Sequence, residues 1–142
     1  KNRASVFIVP VDEKKNVYLV EMYCTAMRKR ELLCSAGMID TKETPAQVAK
    51  RECQEEAGFL PQKVTFLGVV EPSPGYNNHT SYIYLGQNLK KSKLKGDEPE
   101  ELKVVKVPLA KIPALMKKKK LMHASSILAI MMAEKYLQQH KS

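Results

Sequence analysis

Glu52, Glu55 and Glu56 stand at i, i+3 and i+4 in the stretch Gly37 to Phe59, GMIDTKETPAQVAKRECQEEAGF. On a helix, steps of about 100° per residue gather these carboxylates into one arc, and Ala46, Ala49, Cys53 and Ala57 form a small-residue face beside it. Neighbouring like charges cost about a few tenths of a kcal/mol per exposed pair. A hard divalent cation offsets that repulsion, because Mg²⁺ and Mn²⁺ take oxygen ligands and sit between carboxylates and phosphates. A solvated acidic face is the competing reading. The ends of the helix are written in the sequence: Thr44 suits the N-cap, Pro45 the first helical position, Gln47 completes a capping box and Gly58 supplies the stop.

Gly37, then Glu43, then Arg51-Glu52-Cys53-Gln54-Glu55-Glu56-Ala57-Gly58-Phe59 resemble the Nudix box, Gx5Ex7REUxEExGU, in which U is a bulky aliphatic residue. Cys53 is the unusual choice at U. The resemblance implies a loop, helix, loop module that binds divalent metal and hydrolyses a nucleoside diphosphate linked to another group. It makes Glu52 and Glu56 the main metal ligands, Glu55 a further ligand through water or a helper, and the Ala36 carbonyl another ligand. Arg51 enters among the catalytic candidates, its main expected duty being to pair with Glu43 and hold loop and helix in register.

Further along, EPSPGYNNH from Glu71 to His79 resembles the SPG turn of the ADP-ribose pyrophosphatase branch, which includes other nucleoside diphosphate sugar hydrolases. That branch often carries a glutamate four residues after the glycine, where this chain has His79. His79 is a candidate for substrate contact or proton transfer at neutral pH, against an exposed histidine with no fixed role. Tyr76 is a candidate to stack on base or sugar, against simple packing on its loop. The acidic run Asp97-Glu98-Pro99-Glu100-Glu101 resembles the branch's mobile DExE loop. The resemblance puts the general base on Glu98 and one more metal ligand on Glu100, with Glu55 the next candidate for the base. Cleaving a pyrophosphate needs an activated water and compensation for charge on the phosphoryl oxygens, and a glutamate within reach of the water supplies the first. An ordinary acidic turn is the alternative.

The 142 residues suit one Nudix domain over 1–142, with enough chain to bury a core. No stretch is apolar enough to span a membrane, and the N-terminal apolar run is too short for a secretory signal. Cys24, Cys34 and Cys53 lack ligand spacing and are odd in number, which points to reduced thiols and a cytoplasmic location. The net charge of +9 favours anionic partners, although lysines 90, 91, 93, 95 and 117–120 also serve as solvated surface. Arg28, Lys29 and Arg30 are candidates for substrate phosphate, since guanidinium matches phosphate oxygens in pairs.

Ser5 to Val11 and Val17 to Tyr23 read as strands joined by the polar turn 12–16, a hairpin that opens the central sheet. Strands follow at Glu31 to Gly37, Lys63 to Pro72, Ser81 to Leu89 and Leu102 to Leu109. The tail reads as helical: a first segment with Ile112, Leu115 and Met116, interrupted by Pro113, and a second from Ser125 to Gln139. The second covers the sheet opposite the Nudix helix, giving an α/β/α sandwich with a central mixed β-sheet. Its methionine-rich stripe is core or interface.

The expected activity is hydrolysis of a nucleoside diphosphate sugar, ADP-ribose first, with Mg²⁺ or alternatively Mn²⁺, giving a nucleoside monophosphate and a sugar phosphate. The expected partner is a small nucleotide sugar rather than nucleic acid or membrane. The resembling branch implies a homodimer whose N-terminal subdomain lends base-binding residues across the interface. That subdomain is not in this sequence, which leaves open a segment missing upstream or another way of holding the base. Two other functions compete: removal of a cap or pyrophosphate from the 5′ end of RNA, suggested by the basic loops, and a non-catalytic nucleotide-binding module, kept open by His79.

Overall fold

The computed structural model describes residues 3–40, 42–96 and 102–141. Glu98 and Glu100, the expected base and extra ligand, lie outside the described residues. In chain order the elements are β1 Ala4–Pro10, β2 Asn16–Cys24, β3 Lys29–Leu33, β4 Ser35–Met38, α1 Pro45–Glu52, β5 Phe59–Val70, β6 Thr80–Lys91, β7 Lys103–Pro108, α2 Ile112–Lys117 and α3 Ala124–Gln139.

A mixed four-stranded sheet has the order β4-β1-β6-β5, with β1 parallel to β6 and the other pairs antiparallel. An antiparallel three-stranded sheet has the order β3-β2-β7. Residues of β1 alternate between two cores. Val6 and Ile8 pack with Val48, Ala49 and Cys53 of the Nudix-like helix. Phe7 and Val9 pack with Ala129, Ile130 and Ala133 of α3. The two helices therefore cover opposite faces of the mixed sheet, the expected sandwich. Leu19, Leu32 and Val107 from the second sheet close the α3-side core.

The hairpin expected between β1 and β2 is not formed as such. Its turn exists: the Asp12 carboxylate accepts from the Lys14 and Asn16 N–H groups at 2.9 Å and from the Tyr18 hydroxyl at 2.9 Å. Beyond the single bridge Val11–Val17 the strands diverge into different sheets. β1 is buried from Ser5 to Pro10, and β4 and β6 already occupy both of its edges, so β2 has no free ladder to join. The stretch expected as one strand from Glu31 to Gly37 is likewise split, with Cys34 passing the chain from the second sheet to the first.

Pro113 begins a helix rather than interrupting one, since it sits in the first turn of α2, where its missing N–H costs nothing. On α3 the buried positions are Ser126, Ala129, Ile130, Ala133 and Leu137. Of the methionines assigned there to core or interface, Met132 packs against the core and Met131 is exposed.

Candidate active site

The site is built on β4, the edge strand of the mixed sheet. In an antiparallel ladder the N–H and C=O of a residue point to the same side. Ala36 N–H points away from β1 and donates to Glu56 Oε1 at 2.9 Å, so the Ala36 carbonyl faces the same open edge. This is the direction the expected carbonyl ligand requires.

The helix that faces β4 starts as the sequence predicts. Thr44 accepts from Gln47 N–H, the Gln47 side chain accepts from Thr44 N–H at 2.8 Å, and Pro45 occupies the first turn. After Glu52 it departs from uniform α geometry. Cys53–Ala57 forms a wider π turn, closed by Gly58 N–H donating to the Cys53 carbonyl at 2.9 Å, and Gly58 ends it at φ +80°. An inserted residue of this kind re-spaces Glu55 and Glu56 from the regular arc, a feature common at functional sites.

Glu52 lies directly over Gly37: a Cβ there would come within 2.1 Å of Glu52 Oε2. Glu56 is 5 % exposed and reaches the neighbouring Ala36. Two carboxylates thus converge on adjacent residues of one strand, which explains why the motif needs glycine at its first position.

Arg51 clasps Glu43 in a two-pronged pair, Nε to Oε2 and Nη2 to Oε1, both at 2.8 Å. Its third nitrogen touches Glu52 Oε2 at 3.0 Å and Glu55 Oε2 at 3.4 Å. The hydrogen bond to Glu43 raises the guanidinium pKa further above its ordinary value, and the same bond holds Glu43 below the usual carboxylate range. Arg51 therefore ties the loop to the helix, as expected, and also balances charge between two of the candidate metal carboxylates. The Cys53 thiol, inert in the core, is pushed up to about 12 by burial and then by Glu56.

Hard oxygen donors of this kind fit a divalent cation of the Mg²⁺ class. Among the described residues no three His, Cys, Asp or Glu side chains already surround one point.

The segment leading to the acidic run is stitched to the far end of this helix. Ser92 N–H donates to the Gly58 carbonyl at 2.9 Å, Gln54 Nε2 to Ser92 Oγ at 2.9 Å, and Lys93 Nζ to the Glu55 carbonyl. Residues 92–94, shortly before the acidic run in sequence, are thereby held beside the end of the box helix.

The expected substrate contacts are more scattered. Arg30 is committed to Glu21, with Nε 2.9 Å from the carboxylate and Nη2 3.1 Å from the carbonyl. Arg28 is exposed and closes the turn Thr25–Met27 at φ 55°. Tyr76 is 94 % exposed, so it does not pack on its loop. His79 is not a loose loop histidine: its Nε2 lies 2.9 Å from Ser5 Oγ, which in turn lies 3.0 Å from Ser81 Oγ, pinning the SPG turn to β1.

Sequence reasoning missed a cavity of about 460 Å³ on the α3 side of β4, lined in part by Ala36, Glu31 and His123. Its residues are drawn from Phe7 to Ala124, and no local pattern joins them.

The NUDIX domain model matches residues 1–128. The chain is 33 % identical over 136 residues to the ADP compounds hydrolase NudE of Escherichia coli (strain K12), covering 96 % of this chain and 73 % of that protein. It is 25 % identical over 132 residues to the ADP-ribose pyrophosphatase of Bacillus subtilis (strain 168), covering 92 % and 71 %. A crystal structure of an ADP compounds hydrolase superposes with a TM-score of 0.91 at 32 % identity, over 98 % of this chain and 75 % of that one. With the box geometry in place on β4 and this match over nearly all of its length, the chain belongs to the Nudix domain family.

Proposed function

We propose that the protein hydrolyses the pyrophosphate bond of ADP-linked compounds, ADP-ribose foremost, giving AMP and a sugar phosphate. The observation that carries this reading is the convergence of Glu52 and Glu56 on Gly37 and Ala36 at an open strand edge. The names of the two relatives above, which act on ADP compounds and ADP-ribose, supply the substrate class.

Glu52, Glu56 and the Ala36 carbonyl are the groups we assign to a divalent cation, with Glu55 and Glu100 completing the set. When bound, the cation compensates charge on the phosphoryl oxygens. Glu98 accepts a proton from the attacking water as its oxygen bonds to one phosphorus and the bridging P–O bond breaks. Support for placing that base here is the anchoring on the box helix of residues 92–94, which precede the acidic run by a few positions in sequence. Glu55 is the alternative base. Arg51 positions the carboxylates, and Arg28, Arg30, Tyr76 and His79 are retained as the substrate-side assignments, of which exposed Tyr76 and Arg28 are the freest to reach a ligand.

Magnesium is the cation we assign, a homodimer the assembly and the cytoplasm the location. The free thiols of Cys24, Cys34 and Cys53 support a reducing compartment. Among the described residues no helix is long and apolar enough to cross a membrane.

The test is product analysis by chromatography after incubation with Mg²⁺ and ADP-ribose, ADP-glucose, GDP-mannose, a dinucleoside polyphosphate or 5′-triphosphate RNA. AMP and ribose 5-phosphate from ADP-ribose, lost in Glu52→Gln, are expected. Turnover of RNA alone, or no turnover of any compound, overturns the proposal.

A further inference from the structure

The cavity beside β4 adjoins the site through one residue: Ala36 offers its backbone to the carboxylate edge and its side chain to the cavity. The walls are apolar, with Phe7, Leu33, Met27 and Met122 among them. Flat aromatic rings suit such walls, since thioethers and aromatic rings pack well on ring faces. A ribose, with hydroxyls on its rim, would leave them unpaired.

Three polar groups, Lys29, Glu31 and His123, break the apolar lining, and His123 is held from behind by Ser126. Ser126 is fully buried, and its Oγ accepts from Cys34 N–H at 2.9 Å. Its own hydrogen must still find an acceptor. His123 Nδ1 lies 2.7 Å away and can serve as that acceptor. With Ser126 donating to Nδ1, the imidazole proton sits on Nε2 and the free edge of the ring is a donor. Burial lowers the His123 pKa below the ordinary imidazole value, against a smaller opposing effect of Glu31, consistent with a neutral ring. Glu31, on the cavity wall, is an acceptor. Lys29 holds it from one side at 3.6 Å, and reaches Met122 Sδ at 3.6 Å across the gap between β3 and the start of α3.

We propose that this cavity receives the adenine base of the substrate, with His123 Nε2–H donating to a ring nitrogen and Glu31 accepting from the exocyclic amino group. The proposal rests on the reading of the enzyme as an ADP-compound hydrolase and deepens it. It places the base beside the pyrophosphate site, with Ala36 linking the two.

The three histidines of the chain make the test direct. Adenosine, which has no phosphate, is titrated into the wild-type protein while the imidazole signals are followed by NMR, with His123 assigned by its loss in His123→Asn. A shift at His123 that saturates with adenosine, and is not produced by ribose 5-phosphate, is expected. A shift at His123 with ribose 5-phosphate alone, or with neither compound, overturns the base site. Hydrolysis of ADP-ribose by the same sample is scored separately, so absence of turnover counts against the hydrolase reading and a silent His123 against the base site.

In kinetics, Glu31→Gln is expected to raise KM for ADP-ribose about tenfold, the difference between a charged and a neutral acceptor, with little change in kcat. The same variant should narrow the preference for ADP-ribose over the hypoxanthine analogue, which carries oxygen in place of the amino group. An unchanged preference overturns the assignment of Glu31, since a purely structural role would affect both substrates alike.

Discussion

Two regions meet at Ala36 and are built in opposite ways. The carboxylate edge draws on residues 36–56, is charged throughout, and is held by the short, directional bonds of Arg51 to Glu43 and of Ala36 to Glu56. The cavity behind it draws on residues from Phe7 to Ala124, is mostly apolar, and is held by packing and one buried link from Cys34 to Ser126. Charge repulsion at the first region is offset in part by Arg51 and is relieved further by a cation, so its chemistry depends on residue type and spacing. The second needs only a shape and a donor–acceptor pair, which many residue combinations supply. Catalytic machinery and substrate selection are therefore separable in this fold, and variants on either side should have different signatures.

The largest effect is expected from Glu56→Gln. The amide oxygen can still accept from Ala36 N–H, so the helix should stay docked on β4, but the charge assigned to the cation is gone. Since metal ions contribute several kcal/mol to such reactions, kcat should fall about 10³-fold with an unchanged circular dichroism spectrum. Chelation of divalent metal should abolish wild-type turnover in the same way, and added Mg²⁺ should restore it. A Glu56→Gln enzyme that unfolds, or keeps full activity, would show that Glu56 serves packing instead.

Gly37→Ala asks whether the glycine protects the position of Glu52. The added Cβ would meet the end of the Glu52 side chain, a flexible group, rather than backbone. Glu52 can swing aside without unfolding the protein, yet a shift of this size at a reacting centre costs about 10²-fold in rate. Activity should fall by that order while the melting temperature changes little.

Arg51→Lys keeps the charge and loses the fork. Both side chains of the Glu43 pair are partly exposed, so solvent screening keeps the loss of stability small and the melting temperature should fall only slightly, with about tenfold lower activity from the loosened carboxylates. The pH dependence has a definite sign. Arg51 depresses the folded-state pKa of Glu43, so this pair stabilises the protein above the unfolded carboxylate value and loses that contribution as pH falls through the depressed one. Removing the partner in Arg51→Met should flatten the fall of melting temperature on acidification below about pH 4.5.

The same contrast governs what the sequence revealed. The capping box at Thr44 and the stop at Gly58 are interactions over a few residues, legible from type and spacing, and the clasp of Arg51 on Glu43 is what the Nudix resemblance implied. The two-sided burial of β1 was visible as an apolar run, but its choice of β4 and β6 over β2 depends on partners far along the chain. The π turn at Cys53 was not legible, because one residue more or less in a helical turn leaves the apolar pattern nearly unchanged. Glu31 and His123 gave no signal at all: a lone glutamate in a strand and a lone histidine before a helix acquire meaning only when β3 and α3 are placed side by side.

The smallest effect should come from a pair of thiols, one on each side of the mixed sheet. Cys53 stands where the Nudix pattern has an aliphatic residue and is packed with Val48 and Ala49 against β1. Cys53→Val fills that place with a side chain of similar volume, so stability should change by less than about 1.5 kcal/mol and activity hardly at all. Cys34 is equally buried, but its Sγ lies 3.8 Å from the Ser126 carbonyl, next to the link that orients His123. Cys34→Val removes that weak bond and crowds the link, so it should cost about 1 kcal/mol more and raise KM for ADP-ribose without lowering kcat. Both thiols are pushed up to about 12 by burial, so neither should react with alkylating reagents in the folded protein at neutral pH. If Cys53→Val changed KM and Cys34→Val did not, the substrate-selecting region would lie on the α1 face of the sheet instead of the α3 face.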